Sequence, residues 1–455
     1  MALGKRQRQQ QEMWVATTDL PKSPGHPFYC KLNELLAEAG FDRWAEKLCA
    51  PYYAKLMGRP SIPPGIYFRM ILVGYFEGIG SQRGIAWRCS DSRSLAEFLG
   101  VPITERTPDH SSLTRTHQRL PVEIHEQVFV FVLKIAADKK LVSSKTVAVD
   151  STTLEANAAM KSIVRKDTEE DYKEYLRRLA KEAGIEDPTD EELRRFDKRR
   201  QNKKMSNDEW QSPTDPDSRI AKMKDGTTHL AYKAEHVVDL ASDLVVGATV
   251  QPANHADVET LCDSVLAAQQ NLQAAGSEVE IQDVVADKGY HKAATLELCD
   301  DLGMRTYIPE PERPHGYDWE KHSAAERKAV EGNRRRVRGA RSKKLQRLRS
   351  ELTERSFAHV CETGGARRTW LRGLVQVTKR YLIQVAARNL GLIVRKLFGM
   401  GTPRGLQDLA GRACTLCFAV WTYWRLWYRH TLTLMHEIVV GAEHAAIVPL
   451  PNYAA

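Results

Sequence analysis

Two short apolar stretches, each ending in an aspartate, constrain the fold of this chain more than any other feature. Val147, Ala148 and Val149 lead into Asp150, and residues 284–286 lead in the same way into Asp287. Apolar runs of this kind are typical of buried parallel strands. An isolated aspartate at a strand end commonly caps a helix. Two of them, however, suggest carboxylates at one edge of one sheet, where α/β proteins place their chemistry.

The pattern around these stretches predicts an α/β domain over residues 141–400, with a mixed sheet flanked by helices. A charged, helix-prone tract at about 155–225 is predicted to be a solvated insertion after the first strand. Beyond it, alternation of polar and apolar residues predicts a hairpin, and then helices and strands in turn. The predicted strands are 228–239, 244–250, 281–287 and 304–309, and the predicted helices are 255–275 and 291–302.

Residues 28–140 are predicted to form a helical N-terminal domain for DNA binding or assembly. Thr107 and Pro108 form a helix-start signal, with threonine as the cap and proline at the first helical position. The helix that follows presents Arg115 and Arg119 among small polar residues. This favours either a DNA-contacting helix-turn-helix or an ordinary short helix of a bundle. Residues 1–27 are predicted to be a basic flexible arm, and residues 401–455 a helical C-terminal segment.

The charge of the chain indicates a polyanionic partner. The formal net charge is +9 and the isoelectric point is about 9.0. Eight cysteines over 455 residues do not form a disulfide framework, and Cys414 and Cys417 are interpreted as buried thiols rather than a zinc site. The apolar run at 413–424 is shorter than the roughly 20 residues a spanning helix needs. We therefore expect a cytoplasmic protein without a membrane partner.

A basic stretch at 333–349 contains no acidic residue and precedes a helix with several glutamates. These cations are suited to the phosphate backbone of DNA. The residues predicted to bind DNA here are Arg334, Arg335, Arg336, Arg338, Arg341, Lys343, Lys344 and Arg347.

A basic protein with two strand-end aspartates is suited to phosphodiester chemistry. Two divalent ions about 3.5–4 Å apart can activate the attacking oxygen and stabilise the leaving one. Mg²⁺, or Mn²⁺, prefers carboxylate oxygens, and Asp150 and Asp287 supply two ligands. A third acid is expected from a helix against the sheet edge. The candidates there are Glu351, Glu354 and Glu362.

These motifs resemble those of DDE transposases of bacterial insertion sequences. Val149-Asp150-Ser151-Thr152 is similar to the first-aspartate motif, and Asp287-Lys288-Gly289-Tyr290 to the second. Glu354-Arg355-Ser356-Phe357 resembles the third, in which Glu-x-x-Phe follows a basic run. The resemblance implies an RNase H-like catalytic core, a helical N-terminal transposase domain and double-stranded DNA, both element ends and target, as substrate. It also implies an assembly of two or more copies on that DNA.

The resemblance favours Glu354 as the third acid, because Phe357 follows it at the family spacing. The chain departs from the family pattern upstream, where Ser350 precedes Glu354 by four residues; Arg347 stands at that distance from Glu351. Glu351 therefore remains the alternative, and Glu362 a more distant one. The implied mechanism is hydrolytic nicking at the element ends, then attack of the 3′-hydroxyl on target DNA without a covalent protein–DNA intermediate.

Three residues near these motifs have open interpretations. Lys288 and His291 follow the second aspartate and either contact phosphate or are solvated residues at a helix start. Asp257 opens a helix and is interpreted as a capping group rather than a ligand.

Two rival functions remain compatible with the sequence. An RNase H-like nuclease would use the same site without joining DNA, and a DNA-binding protein derived from a transposase would not use it at all.

Overall fold

The computed structural model describes residues 16, 25–54, 58, 61–143, 145–201, 205–223, 226–312, 317–404, 421 and 424. The chain divides into two compact units, Met1–Gly399 and Met400–Ala455. Most of the predicted basic arm and of the predicted C-terminal segment lies outside the described residues, as do Cys414 and Cys417. The first unit contains the mixed sheet and the helices around it.

Seven helices precede the first strand of the described chain. α3 begins with Pro64 at its first position and ends at Gly78, whose φ of 70° is the left-handed geometry of a helix stop. α6 begins later than its predicted start, because Asp109 rather than Thr107 is the N-cap and accepts from the Ser111 amide at 2.8 Å. The helices are α1 (Pro27–Glu38), α2 (Phe41–Cys49), α3 (Pro64–Glu77), α4 (Gln82–Asp91), α5 (Arg93–Leu99), α6 (His110–Arg119) and α7 (Val122–Asp138).

The predicted mixed α/β core is confirmed. Its sheet contains β1 (Thr146–Glu155), β4 (Arg219–Lys222), β5 (Thr228–Asp239), β6 (Val245–Pro252), β7 (Asp283–Val285) and β8 (Arg305–Tyr307). The order is β4-β5-β1-β7-β8, and β6 pairs with β5 beside β4. β5 is antiparallel to β1, β4 and β6, whereas β7 is parallel to β1 and to β8. The carboxyl ends of β1 and β7 therefore point the same way.

The charged tract after β1 forms a small substructure of its own. Its two helices, α8 (Tyr172–Glu182) and α9 (Asp190–Arg199), each begin with a capping box, at Asp171 and Thr189. They share a small core of Leu176, Ala180 and Leu193. A two-stranded sheet of β2 (Val164–Arg165) and β3 (Trp210–Gln211) lies in the same tract. The tract is thus helical in part, as predicted, with strands that the charge pattern did not indicate.

Five further helices surround the sheet and connect it to the N-terminal helices. They are α10 (Asp257–Ala274), α11 (Ala293–Asp301), α12 (Ala324–Val337), α13 (Ala340–Phe357) and α14 (Leu374–Phe398). α10 packs on β6 and β5, α13 packs on β1 and β5, and α14 packs on β6, α3 and α7. Within the described residues, no helix combines the length and apolar character needed to cross a membrane.

Candidate active site

Asp150 lies within β1, and Asp287 lies two residues beyond the end of the neighbouring strand β7. Ala148 of β1 is in register with Val285 of β7, and the same parallel register continued by two residues sets Asp150 opposite Asp287. Neighbouring strands lie about 4.8 Å apart. Burial raises the pKa of Asp150, and the Asp287 charge adds to that rise. The structure therefore brings the two strand ends together.

Asp287 is fixed by the turn that follows it. Its carboxylate accepts a hydrogen bond from the Gly289 amide at 2.8 Å and caps the single helical turn Lys288–Tyr290. A Cβ atom at Gly289 would lie 3.0 Å from one Asp287 oxygen and 3.4 Å from an Asp257 oxygen. Glycine at this position therefore leaves room for two carboxylates.

Asp150 is held in place by two side chains of α13. Its Oδ2 accepts from the Arg349 guanidinium at 2.9 Å and from the Thr353 hydroxyl at 3.1 Å. Its Oδ1 accepts from the Ser151 amide at 2.8 Å. Burial raises the pKa of Asp150, and the Arg349 charge opposes that rise. The carboxylate is thus a partly buried anion with one cationic partner.

The third-acid candidates differ in their partners. Glu354 is exposed and accepts a hydrogen bond from Ser350 at 3.0 Å. Glu351 forms an ion pair with Arg355, and Glu362 forms one with Arg367 at 2.8 Å. Among the described residues, Glu354 alone of the three has no ion pair.

The position of Phe357, three residues after Glu354, has a structural reason. Phe357 stacks on His236, with ring centroids 4.2 Å apart and an interplanar angle of 14°. His236 is the β5 residue paired with Asp150, and it also contacts the Ser356 hydroxyl at 2.9 Å. Tyr381 of α14 contacts the other ring nitrogen at 2.8 Å. The end of α13 is therefore anchored on the strand next to Asp150.

Asp257 belongs to this site, although the sequence suggested a capping role for it. The N-cap of α10 is Ala256, and no side chain caps the helix. Instead, the Asp257 carboxylate accepts from the Ser151 hydroxyl at 2.9 Å and pairs with Lys233 at 2.6 Å. The sequence signal was an acidic residue at the start of the helix that follows a strand of the same sheet. The sequence did not indicate that α10 also packs against β1.

A second carboxylate that sequence reasoning missed lies deeper in the fold. Glu235 of β5 is only 1% exposed and accepts from the hydroxyls of Tyr290 at 2.6 Å and Thr260 at 3.1 Å. Ser264 also donates to it. Burial raises the pKa of Glu235, and these hydrogen bonds oppose the rise. Glu235 therefore ties the turn after Asp287 to β5 and α10.

The donor set at the sheet edge fits a hard divalent ion. Asp150 and Asp287 offer carboxylate oxygens, and Mg²⁺ commonly takes one or two carboxylates together with water and substrate phosphate. Within the described residues, no group of three or more His, Cys, Asp or Glu side chains is arranged to hold a metal ion. Among the described residues, a third acidic ligand is therefore not in place beside the two aspartates.

The cations of the basic stretch fall into two groups. Three of them bond to groups of the fold itself, and the other five are exposed without an ion pair among the described residues. The first group, Arg334, Arg336 and Arg341, bonds to Glu310, to the Thr306 carbonyl and to Asp283, respectively. The second group is Arg335, Arg338, Lys343, Lys344 and Arg347.

The remaining cations predicted to contact DNA are scattered. Arg115 is exposed and bonds to the Ser111 carbonyl and hydroxyl on its own helix. Arg119 lies over the Tyr53 ring at 4.8 Å. Lys288 is exposed beside Asp287, whereas His291 is 5% exposed and contacts the Tyr317 hydroxyl at 3.4 Å.

Comparison with known proteins identifies the family. Neither the curated proteins nor the solved structures gave a match. Two family models match: a transposase domain (DUF772) over residues 18–119 and a transposase DDE domain over residues 143–390. Members of the latter act on DNA and generally use divalent metal ions. The second match covers more than half of the 455 residues, and it contains both aspartates, β1 to β8 and α13. The chain therefore belongs to the DDE transposase family.

Proposed function

We propose that this transposase cleaves DNA at the ends of its element and joins the freed 3′-hydroxyl to target DNA. The observation that carries the proposal is the parallel pairing of β1 with β7, whose register continued by two residues sets Asp150 opposite Asp287. Two carboxylates at one sheet edge suit the binding of hard divalent ions, and the basic charge of the chain suits a DNA substrate.

In this proposal Asp150 and Asp287 hold two ions, Mg²⁺ or Mn²⁺. Bound ions supply the charge that activates the attacking oxygen and stabilises the leaving oxygen. The chain contributes orientation: the Gly289 amide fixes one carboxylate, and Thr353 fixes the other. Arg349 pairs with Asp150 and helps to keep this carboxylate in the position from which it would hold an ion.

We assign Glu354 as the third acid. The support is that its rivals are engaged, Glu351 by Arg355 and Glu362 by Arg367, whereas Glu354 accepts only from the Ser350 hydroxyl in the described structure. It also directly follows Thr353, which touches Asp150.

DNA would lie along α12 and α13. The support is the group of five exposed cations, which have no ion pair among the described residues. Four of them lie on α12 and α13, and Arg338 lies between these helices. α13 also carries Arg349, which contacts Asp150. Phosphate binding by arginine and lysine needs such unengaged groups. Arg334, Arg336 and Arg341 would contribute less, because they already bond to the fold. Lys288, Arg115 and Arg119 are proposed as further contacts.

We also propose that two or more copies assemble on the DNA, in the cytoplasm of a bacterium. Strand transfer requires that two element ends and a target are held at once. The described residues of each copy contribute one pair of candidate aspartates, Asp150 and Asp287.

The test is an assay of purified protein on a duplex carrying the ends of its own element. The wild type should cut at the element end and join that end to a target plasmid, and both products should require Mg²⁺ or Mn²⁺. Asp150→Asn should abolish both, while Asp263→Asn, an exposed aspartate on α10, should not. Cutting without joining would favour the nuclease, and binding without cutting would favour a DNA-binding protein.

A further inference from the structure

The segment after α13 returns to β1 and extends the sheet beyond the candidate active site. A π-helical turn, Ala358–Thr363, ends α13, and residues 366–372 follow it. The Glu155 amide donates to the Arg367 carbonyl at 2.8 Å, and the Thr369 amide donates to the Glu155 carbonyl at 2.9 Å. Glu155 and Arg368 thereby form a parallel bridge. This segment is fixed by backbone hydrogen bonds rather than by surface contacts alone.

The segment lies on the same side of β1 as Asp287. β5 occupies the other side, since Glu155 pairs there with Ala231. The pairing of β7 with β1 ends at Val285, and the next backbone pairing along that side of β1 is the bridge between Glu155 and Arg368. The carboxylates and this segment therefore lie along one strand edge.

The arginines of the segment continue from Arg349 along β1. The Arg367 guanidinium donates to the Thr152 hydroxyl and to the Thr153 carbonyl, each at 3.0 Å, and it pairs with Glu362. Arg368 is 58% exposed and lies 3.7 Å from Glu155. Arg349 contacts Asp150, and Arg367 and Arg368 contact residues 152–155 of the same strand. The three guanidinium groups thus follow β1 away from the candidate active site.

An exposed tryptophan ends the row. Trp370 is 58% exposed, and the Arg368 guanidinium lies 5.7 Å from its ring centroid. The Asn157 amide donates to the Trp370 carbonyl at 2.9 Å, and the Trp370 ring lies against Gly80, where a Cβ atom would come within 3.0 Å of its Nε1. The ring is thus supported from within the protein while more than half of it faces solvent.

We infer that Arg368 and Trp370, positioned by the contacts of Arg367 to β1 and here named the β1 track, bind the DNA strand that leads away from the cut. Arginines pair with phosphates, and an exposed indole stacks on a base or sugar. β1 advances about 3.3 Å per residue, and a DNA strand advances about 3.4 Å per nucleotide. Trp370 would accordingly meet the strand about seven nucleotides from the scissile phosphate, since it lies beside Asn157, seven residues beyond Asp150. This inference rests on the proposed function, because it presumes DNA at Asp150.

The first test measures affinity and its salt dependence for a duplex carrying the element's end. Trp370→Ala should weaken binding at least about fivefold without changing the slope of log affinity against log salt, because stacking releases no counterion. Arg368→Ala should weaken binding and reduce the slope by about one. Leu298→Ala and Arg195→Ala, an exposed leucine on α11 and an exposed arginine on α9, are controls that should change neither quantity.

The second test locates the contact by photocrosslinking. The same duplex carries 5-iodouracil at one position at a time on either side of the cut, and the crosslinked peptide is identified. A crosslink to Trp370 about seven nucleotides from the scissile phosphate supports the inference.

Three results would overturn the β1 track without touching the proposed function. The first is that both variants keep the wild-type affinity and salt slope while the wild type cuts DNA. The second is that no position of the duplex gives a crosslink to Trp370. The third is that the variants change the number of protein copies per duplex but not the affinity. The last would mean that Trp370 contacts another copy. If the wild type neither binds nor cuts the duplex, the proposed function itself fails.

Discussion

At the scale of single residues, the candidate site depends on the balance of charge around Asp150. The carboxylate is 23% exposed and its partner Arg349 is 15% exposed, so both are largely removed from water. A carboxylate in such surroundings needs a cation or several hydrogen bonds. Arg349 supplies the first, and Thr353 and the Ser151 amide supply the second.

Replacement of the Asp150 partner should destabilise the metal-free protein. We expect Arg349→Met to lower the free energy of unfolding by about 1–3 kcal/mol, the range for a buried group that loses its partner. Mg²⁺ should stabilise this variant more than it stabilises the wild type, because an ion can replace the lost charge. Denaturant unfolding with and without Mg²⁺ measures both effects. Equal stability of variant and wild type would contradict this account of Asp150.

At the scale of elements, the position of α13 decides which acid completes the site. Thr353 contacts Asp150, while Ser356 and Phe357 contact His236 on the neighbouring strand. These three contacts fix the rotation of the helix about its axis. Glu354 is then exposed beside Thr353, and Glu351 is engaged by Arg355 one turn later.

The two glutamates offer a matched pair of substitutions on one helix. We expect Glu354→Gln to lower the rate of DNA cleavage by at least about 100-fold, because loss of a metal ligand should cost at least as much as loss of a residue that only supports a ligand. Glu351→Gln should retain most of the activity, because it removes only a surface ion pair. Cleavage rates at saturating Mg²⁺ measure the difference. The reverse ranking would assign the third position to Glu351.

The sequence predicted the sheet better than it predicted what surrounds the site. Apolar runs revealed β1 and β7, and strand pairing then placed Asp150 near Asp287. β1 nevertheless continues to Glu155, because Ser151 to Leu154 pair with β5 and support a strand that the apolar pattern alone does not reveal. Similarly, the start of α6 depended on the capping bond of Asp109.

Side-chain contacts across the fold could not be read from local sequence. Arg349 and Asp150 are 199 residues apart, and Ser151 and Asp257 are 106 residues apart. Their meeting depends on how α13 and α10 are rotated against the sheet. That rotation is set by packing, whereas hydrophobic periodicity gives only an approximate inward face. The resemblance to a family supplied Glu354, and the residues alone did not.

At the scale of the whole first unit, α14 joins the N-terminal helices to the sheet. Lys379 donates to the His117 carbonyl at 3.1 Å, and the Tyr67 hydroxyl contacts His117 at 3.0 Å and His125 at 3.3 Å. Burial lowers the pKa of His117 to about 3 and that of His125 to about 4. These histidines are therefore neutral in the folded protein over the whole range in which exposed histidines titrate.

This buried histidine cluster should make the fold sensitive to mild acid. An unfolded chain takes up protons near pH 6.5, whereas the folded protein resists them until about pH 4. The unfolded state then binds more protons, so the free energy of unfolding should fall as the pH falls below 6.5. Denaturant unfolding between pH 6.5 and about 5, above the range of ordinary carboxyl groups, measures this fall. His125→Gln should reduce the slope, and a constant free energy would contradict the account.

The central claim is that Asp150 and Asp287 act together at one edge of the sheet. Its most direct test compares Asp287→Asn with the wild type for Mg²⁺-dependent cleavage and strand transfer on the element's own ends, with Asp263→Asn as the control. We predict that Asp287→Asn binds this DNA and folds as the wild type does, yet yields neither cut nor joined product. Cleavage and joining at the wild-type rate would contradict the claim.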